Sequence, residues 1–400
     1  MSKGEKGTIG ILTGGGDVPG LNPAIRAITV RAVREGYRVI GIRKGWEGLI
    51  HIDRDLPTGG QHYCEVLTEE TVNRVGRTGG TFLHTSRTNP SKIPKSFIPL
   101  HLRETHQAEF NDLTDEVLKN LEYLGIDTLI PIGGNDTLGY AVRLHKEGVN
   151  IVAIPKTMDN DVPGTDYCIG FSTCITRTIE LTHQLRTCAG SHERFLIIEV
   201  FGRYAGFTAL LPTMAGAANR CVIPEHPFSL DRLAELMVED RKSNSSHYSV
   251  ALVSEGATLD CKQDFENGQS ENTYDQNKLV SIGDLISEGL KKVAPKYNDG
   301  RGIGVINQSL AYIVRCGTPD AMDSIVPMAF GNLALNLILQ GISGRLVVLR
   351  QGQYDDVSLD YIAGRKKLVD IKKFYNSDRL SPRYETFQGM PLFIMTSEED

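Results

Sequence analysis

No two of the seven cysteines (Cys64, Cys168, Cys174, Cys188, Cys221, Cys261, Cys316) form a CxxC pair, and their number is odd. That argues against a disulfide framework and points to buried free thiols in a reducing cytosol. The ten histidines lack HExxH or any other ligand spacing, so a transition-metal centre is not expected. Magnesium held by oxygen atoms stays open. No apolar run approaches ~18 uninterrupted residues, so no membrane span is expected. The opening stretch MSKGEKGTIGILTGGG enters a strand without a long apolar h-region, so no signal peptide is expected. Short-period repeats, heptads and low-complexity tracts are missing. So is a surplus of positive charge: the formal net charge is -6, which argues against a general nucleic-acid binder. A phosphorylated substrate remains compatible, because local arginine clusters override a mildly acidic total.

What is present is a soluble-enzyme composition, 40% hydrophobic and 23% charged over 400 residues, a length suited to two α/β lobes. Short apolar runs alternate with amphipathic ones. GTIGIL, YRVIGI, DTLIPI and NIVAI read as strands, and NPAIRAITVRAVREG, LTDEVLKNLEYLGI and TLGYAVRLHKEG as helices. The alternation resumes with RFLIIEV, SLDRLAELMVEDRK, YSVALVSEG and KLVSIGDLISEGLKKV. A last set holds LAYIVR, AMDSIVPMAFGNLALNLIL and RLVVLR. Continuous apolar strands between helices indicate parallel sheets covered on both faces. The polar segment 258–276 reads as a surface excursion.

Chemistry-bearing residues gather where such strands end, which is where ligands bind in open parallel sheets. TGGGDVPGLN (13–22) is a glycine loop between strand and helix that lets backbone approach an anion. It matches neither the dinucleotide GxGxxG fingerprint nor the GxxxxGK[ST] phosphate loop; alone, a tight turn would explain it. GRTGGTFLHTSRTNP (76–90) ends in Arg87, whose planar fork suits phosphate oxygens, although an arginine in a polar loop is more often solvated. LIPIGGNDTLGY (129–140) and IPKTMDNDVPGTDYCIGF (154–171) set Asp136, Asp159 and Asp161 around Lys156. Such acids make sense if Mg²⁺ and phosphate lie among them, one carboxylate taking a hydroxyl proton during phosphoryl transfer. Helix caps and Asx-turns would explain any one of the acids, but explain the cluster poorly.

GGGDVPGLN, GGTFLHTSR, IGGNDT, PKTMDND, SHERFLIIEVFGRYAG and IPE, in this order, resemble the phosphofructokinase family over roughly residues 7–350. The resemblance implies an α/β phosphofructokinase fold with two Rossmann-like lobes and mainly parallel sheets. It further implies Mg²⁺-dependent phosphorylation of fructose 6-phosphate at its 1-hydroxyl in the cytoplasm. It gives Asp159 as general base, with Thr157 holding the sugar beside it. Asp161 is turned toward magnesium, Gly16 is on the donor phosphates and Arg87 is on the transferred phosphoryl. Phe201, Gly202 and Arg203 line the sugar phosphate, Glu255 binds sugar hydroxyls, and Tyr312 and Arg315 belong to the same substrate site. Arg194 reaches the 6-phosphate from a neighbouring subunit, which implies a homodimer or homotetramer with shared sites. The lobes are expected at 1–165 plus 316–360 and at 166–315, with 361–400 an extension packed on them.

Two departures matter. Asn135 stands where the family normally has an acidic magnesium ligand, and Ile306 where many members supply a second arginine from the neighbouring subunit. Asp136 stands where ATP-using members have glycine. A carboxylate there overlaps and repels an α-phosphate, and two like charges ~4 Å apart cost about 4 kcal/mol at an effective dielectric near 20. Pyrophosphate has no α-phosphate, and Lys156 can meet the leaving phosphate. Tyr312 and Arg315 in LAYIVRCG also resemble pyrophosphate-dependent members. Pyrophosphate is therefore the expected donor, in a reversible reaction with weak or absent nucleotide regulation. An ATP-dependent enzyme, a weakly catalytic regulatory subunit and another sugar phosphate such as sedoheptulose 7-phosphate are the rival readings.

Overall fold

The computed structural model describes residues 6–56, 60, 62–260, 281–385 and 388. The polar excursion from residue 261 onward and the tail PLFIMTSEED lie outside the described residues. The chain forms two compact units, one of Met1–Thr173 with Arg315–Lys366 and one of Cys174–Val314 with Lys367–Asp400.

In the first unit, the strands in chain order are β1 (Thr8–Thr13), β2 (Arg38–Ile42), β3 (Cys64–Val66), β4 (Ile93–Pro94), β5 (Phe110–Asn111), β6 (Thr128–Gly133) and β7 (Val152–Pro155). The second unit supplies β8 (Phe195–Val200), β9 (Arg220–Val222), β10 (Ser249–Ser254) and β11 (Val305–Ser309). Back in the first are β12 (Arg345–Arg350) and β13 (Gln353–Ser358). Seven strands make the main sheet of the first unit, in the order β13-β12-β7-β6-β1-β2-β3. Its interior pairs are parallel, and only the edge pairs β2–β3 and β12–β13 are antiparallel.

Every residue of β1 and of β7 is buried, so both faces of these strands are covered and their sequences are apolar without alternation. Leu12, Ile40, Ile42, Leu129, Ala153, Leu346 and Val348 share one core with the helices Trp46–Ile50, Thr114–Leu124 and Asn135–Lys146. Trp46 meets Tyr140 edge-on there, ring centroids 4.9 Å apart.

The helices Leu21–Arg34 and Met322–Leu339 pack on each other. The second is 18 residues long, with mean hydropathy 1.4, long and apolar enough to cross a membrane. The sequence expectation of no such span therefore meets a helix that passes by length and composition. Its burial explains that composition. Nine of its residues are buried, and Asp323 in its first turn is fully buried and accepts bonds from Tyr167 Oη, Gly170 N, Thr173 N and Thr173 Oγ1 at 2.6–2.8 Å.

Chain order in the main sheet reverses between β1 and β6: the chain leaves β1 toward β2, whereas β6 leads the other way to β7 and β12. A crevice beyond the carboxyl ends of strands at such a switch point is the expected ligand position. The three strands β1, β6 and β7 end in Gly14–Gly16, Gly133–Asn135 and Lys156–Asp161.

The second unit carries a four-stranded, all-parallel sheet, β11-β8-β10-β9. Val200 pairs with Ser254 at the carboxyl ends of β8 and β10, which sets Phe201–Arg203 beside Glu255. A short ladder, β14 (Tyr375–Asn376) with β15 (Ser381–Pro382), belongs to this unit. It is tied to β9 through Cys221 N to Leu380 O and Tyr375 Oη to Cys221 O, both at 2.8–2.9 Å.

Candidate functional site

In the first unit, the loop after β1 is pinned peptide by peptide. Gly14 N donates to Ile132 O at 3.0 Å and Gly15 N to Ser86 O at 2.8 Å. Thr85 Oγ1 donates to Gly15 O at 2.7 Å, Lys156 Nζ to Gly16 O at 2.8 Å, and Arg315 Nε to Asp17 O at 3.0 Å. Glycine is required where a side chain would collide. A Cβ on residue 16 would stand 1.9 Å from a terminal nitrogen of Arg315, and on residue 15 it would stand 3.0 Å from Lys156 Nζ at a φ of +83°.

Asn22, 1% exposed, zips this loop to the 76–90 loop. Its Nδ2 donates to Thr78 Oγ1 at 2.9 Å, and its Oδ1 accepts from Phe82 N at 3.0 Å. Thr13 Oγ1 donates to His84 O at 2.9 Å. Arg87 lies on the exposed end of the same loop.

Lys156 is 3% exposed. Burial, with Arg315 next in size and Arg87 after it, brings its pKa down to about 8, against the opposing pull of Asp161 and Asp17. A buried ammonium with two guanidinium groups bearing on it is a local excess of positive charge, which favours a small polyanion against the loop. Arg315 is itself 5% exposed, its Nε 3.5 Å from Asp17 Oδ1.

The helix Asn135–Lys146 starts directly after Gly133–Gly134, with Asp136 exposed in its first turn. Asn135 Nδ2 donates to Asp161 Oδ2 at 3.1 Å, which brings the end of β6 to the end of the 154–171 stretch. There Asp159 N donates to Thr157 Oγ1 at 3.2 Å. Asn160 takes the left-handed conformation at φ 56° and is 1% exposed. Its side chain bonds Asp166 O and Cys168 N at 3.0 and 2.9 Å. Asn160 thus inverts the chain and leaves the half-exposed Asp159 and Asp161 on either side of it.

The acids do not stand as a bare cluster. Among the described residues, no three Asp, Glu, His or Cys side chains are grouped to hold a metal ion. What stands between the strand tips is the Asn135 carboxamide and the Lys156 ammonium. A hard cation that keeps several waters and takes phosphate oxygens needs only one or two carboxylates, and Asp161 with the amide oxygen of Asn135 fits that demand.

In the second unit, Glu255 N donates to Val200 O at 2.9 Å and Gly256 N to Gly202 O at 3.2 Å, while Arg203 Nε lies 3.8 Å from Glu255 Oε1. Gly202 has φ +120°, and a Cβ there would stand 2.7 Å from Ala205 O. Glu225, from the IPE run, accepts from Gly206 N at 2.9 and 3.1 Å and from Val369 N at 2.9 Å, and its pKa is raised by burial. Glu225 thereby fixes the turn after Arg203. Tyr312 is 68% exposed in the 3₁₀ turn after β11.

The structure does not bring Arg194 to these residues. Arg194 precedes the amino end of β8 and Phe201 follows its carboxyl end, about 20 Å apart along a strand. Ile306 pairs with Leu196 near the same amino end, and Arg194 packs against Gly304. Asp17, Asn22, Thr85, Asn160 and Glu225 all stand in motifs that the sequence singles out, yet their roles need partners far along the chain. The αL-tolerant Asn160 between two aspartates was the one local signal.

Comparison with known proteins gives one family model, Phosphofructokinase, matching residues 8–338. Pyrophosphate–fructose 6-phosphate 1-phosphotransferase of Dictyoglomus thermophilum is 33% identical, covering 93% of this chain and 99% of that protein. ATP-dependent 6-phosphofructokinase of Chloroflexus aggregans is 35% identical, covering 86% and 88%. Among solved structures, a pyrophosphate-dependent phosphofructokinase from Nitrosospira multiformis superposes with a TM-score of 0.71 at 16% identity, covering 97% and 96%. That likeness establishes the α/β phosphofructokinase fold expected of the sequence.

Proposed function

The chain belongs to the phosphofructokinase family, whose enzymes are generally magnesium-dependent, and from that premise we propose that it moves a phosphoryl group from pyrophosphate to the 1-hydroxyl of fructose 6-phosphate. The observation that carries this reading is the buried Lys156, with Arg315 and Arg87 bearing on it, against a glycine loop whose Gly15, Gly16 and Asp17 carbonyls are each held by a side chain. Relatives named for either donor match at similar identity, so the donor assignment rests on Asp136 and Lys156 of this chain.

The roles divide by unit. In the first, Asp159 takes the proton of the attacking hydroxyl, Thr157 orients the sugar beside it, and Arg87 and Gly16 hold the transferred phosphoryl. Asp136 excludes a donor with an α-phosphate, and Lys156 stabilises charge on the departing phosphate. Asp161 and Asn135 would hold Mg²⁺, which when bound neutralises phosphoryl oxygens; an amide in place of a second carboxylate weakens that hold. In the second unit, Phe201, Gly202, Arg203, Glu255 and Tyr312 bind the sugar phosphate. Arg194 lies at the far end of β8 from them, which supports its service to a neighbouring copy's site in a homodimer or homotetramer. The proposed compartment is the cytoplasm.

Initial rates with fructose 6-phosphate and Mg²⁺, using pyrophosphate or ATP in parallel, test the donor. Pyrophosphate turnover well above ATP turnover is expected. Equal or greater turnover with ATP overturns the donor assignment and leaves an ATP-dependent enzyme of the same family.

A further inference from the structure

Two residues beyond β2, Lys44 takes a left-handed backbone at φ 58°, and Gly45 continues the turn at φ 57°. Glycine is required at 45, where a Cβ would stand 2.6 Å from Thr13 O. Lysine, unlike glycine or asparagine, has no local reason to enter this region. Its surroundings hold it there. Lys44 N donates to Leu83 O at 2.9 Å, and Lys44 O accepts from Ser86 Oγ at 2.8 Å. Ser86 O in turn accepts from Gly15 N at 2.8 Å. The turn is thus joined to the loop that carries Arg87 and, through it, to the Gly14–Asp17 loop. His84, between the two anchor points, is left-handed as well, at φ 57°. Strained residues of this kind concentrate at ligand sites, where the surrounding structure over-determines them.

The side chain so placed is a half-exposed ammonium. Lys44 Nζ lies 3.3 Å from Glu47 Oε1, the two side chains being 50% and 29% exposed. Thr88 Oγ1 lies 3.5 Å from Glu47 Oε2, so Glu47 keeps the ammonium beside Thr88, the residue after Arg87. An ion pair this open to water is held weakly, and an anion of higher charge competes for the lysine. We propose that Lys44 is a donor-binding residue whose ammonium passes from Glu47 to the donor's phosphate oxygens beside Arg87. A donor with no nucleoside offers its site only charge and hydrogen-bond acceptors, so its affinity must come from cations and backbone amides. Lys156 supplies a buried cation and Arg87 an exposed fork. Lys44 adds a point charge on a flexible stem at the rim.

The inference rests on the phosphotransferase reading, and the two fail separately. The test is the split of Michaelis constants for pyrophosphate and fructose 6-phosphate in Lys44→Asn, Lys44→Arg and Glu47→Gln, with a melting curve for each. Asparagine tolerates the left-handed backbone and removes the charge, so Lys44→Asn should melt no lower than the wild type. It should raise the KM for pyrophosphate about fivefold or more, the scale of one lost hydrogen bond to a charged group, and leave the KM for fructose 6-phosphate within about twofold. Lys44→Arg keeps the charge and should hold the pyrophosphate KM within about threefold of the wild type. Glu47→Gln keeps an oxygen for Thr88 and frees the ammonium, so the same constant should fall, by up to about fivefold. A pyrophosphate KM unmoved in Lys44→Asn, both constants raised together, or an equal loss in Lys44→Arg overturns the inference. If Lys44→Asn does not fold, Glu47→Gln decides, and an unchanged or raised pyrophosphate KM overturns it. Absence of pyrophosphate turnover in the wild type instead refutes the donor assignment, and the same split is then read on ATP. No turnover with either donor refutes the phosphotransferase reading itself.

Discussion

Replacing Asp136 asks whether one side chain chooses the donor. The residue lies in the first turn of the helix Asn135–Lys146, right after the glycine pair, and it is exposed. At about 4 Å from an α-phosphate, its charge costs about 1 kcal/mol in bulk water and about 4 kcal/mol at an effective dielectric near 20. Exposure places the site between these limits, so Asp136→Gly should raise kcat/KM for ATP by about five- to a thousandfold. Asp136→Asn keeps the bulk and removes the charge, so the difference between the two variants measures the steric part. The helix loses something in either case. A first-turn acid stabilises it by about 0.3–1 kcal/mol, and glycine costs up to about 1 kcal/mol relative to alanine. Both variants should therefore melt a few degrees lower while staying folded, a check that a melting curve provides. The assay is initial rate against ATP and pyrophosphate at fixed Mg²⁺ and saturating sugar phosphate. If folded Asp136→Gly and Asp136→Asn retain pyrophosphate turnover and gain no ATP turnover, exclusion at residue 136 is refuted as the determinant.

Two further outcomes are expected. Asp159→Ala should lower the forward kcat by about 10²–10⁴-fold, the range of a lost general base, while isothermal titration still detects fructose 6-phosphate; a rate loss of only a few-fold removes Asp159 from that role. Lys156, with its pKa down at about 8, is protonated below that pH and neutral above it, so kcat/KM for pyrophosphate should fall by up to about tenfold per pH unit above pH 8. In Lys156→Arg, whose charge does not titrate there, that fall should vanish; an identical profile in both would show that another group titrates.

The glycine loops and the Asp159–Asp161 turn stood out because phosphate chemistry restricts residue type locally, whereas the Phe201–Arg203 run was marked only by family resemblance. Glycine allows close backbone approach, arginine offers a fork, and a carboxylate takes a proton. The strands were legible for a related reason, since β1 and β7 are buried on both faces and so carry unbroken apolar runs. Less visible were the short edge strands β3 and β9, each three residues long. Their pairing partners, rather than their own pattern, make them strands. The helix Met322–Leu339 shows the converse: its composition is that of a spanning segment, and only the fully buried and bonded Asp323 and the packing on Leu21–Arg34 mark it as core.

The sequence by itself determined the family, the α/β class and which loops carry the chemistry, because each depends on residues adjacent in the chain. Tertiary structure decided what holds those loops. Asn22 bonds Thr78 across 56 residues, Lys156 bonds Gly16 across 140, and Arg315 bonds Asp17 across 298. It also decided that Arg194 stands at the opposite end of β8 from Arg203, and that Arg315 lies on the Gly14–Asp17 loop. Contacts between residues so far apart depend on where the sheet order reverses and which strand tips become neighbours, and no local pattern of residues encodes that.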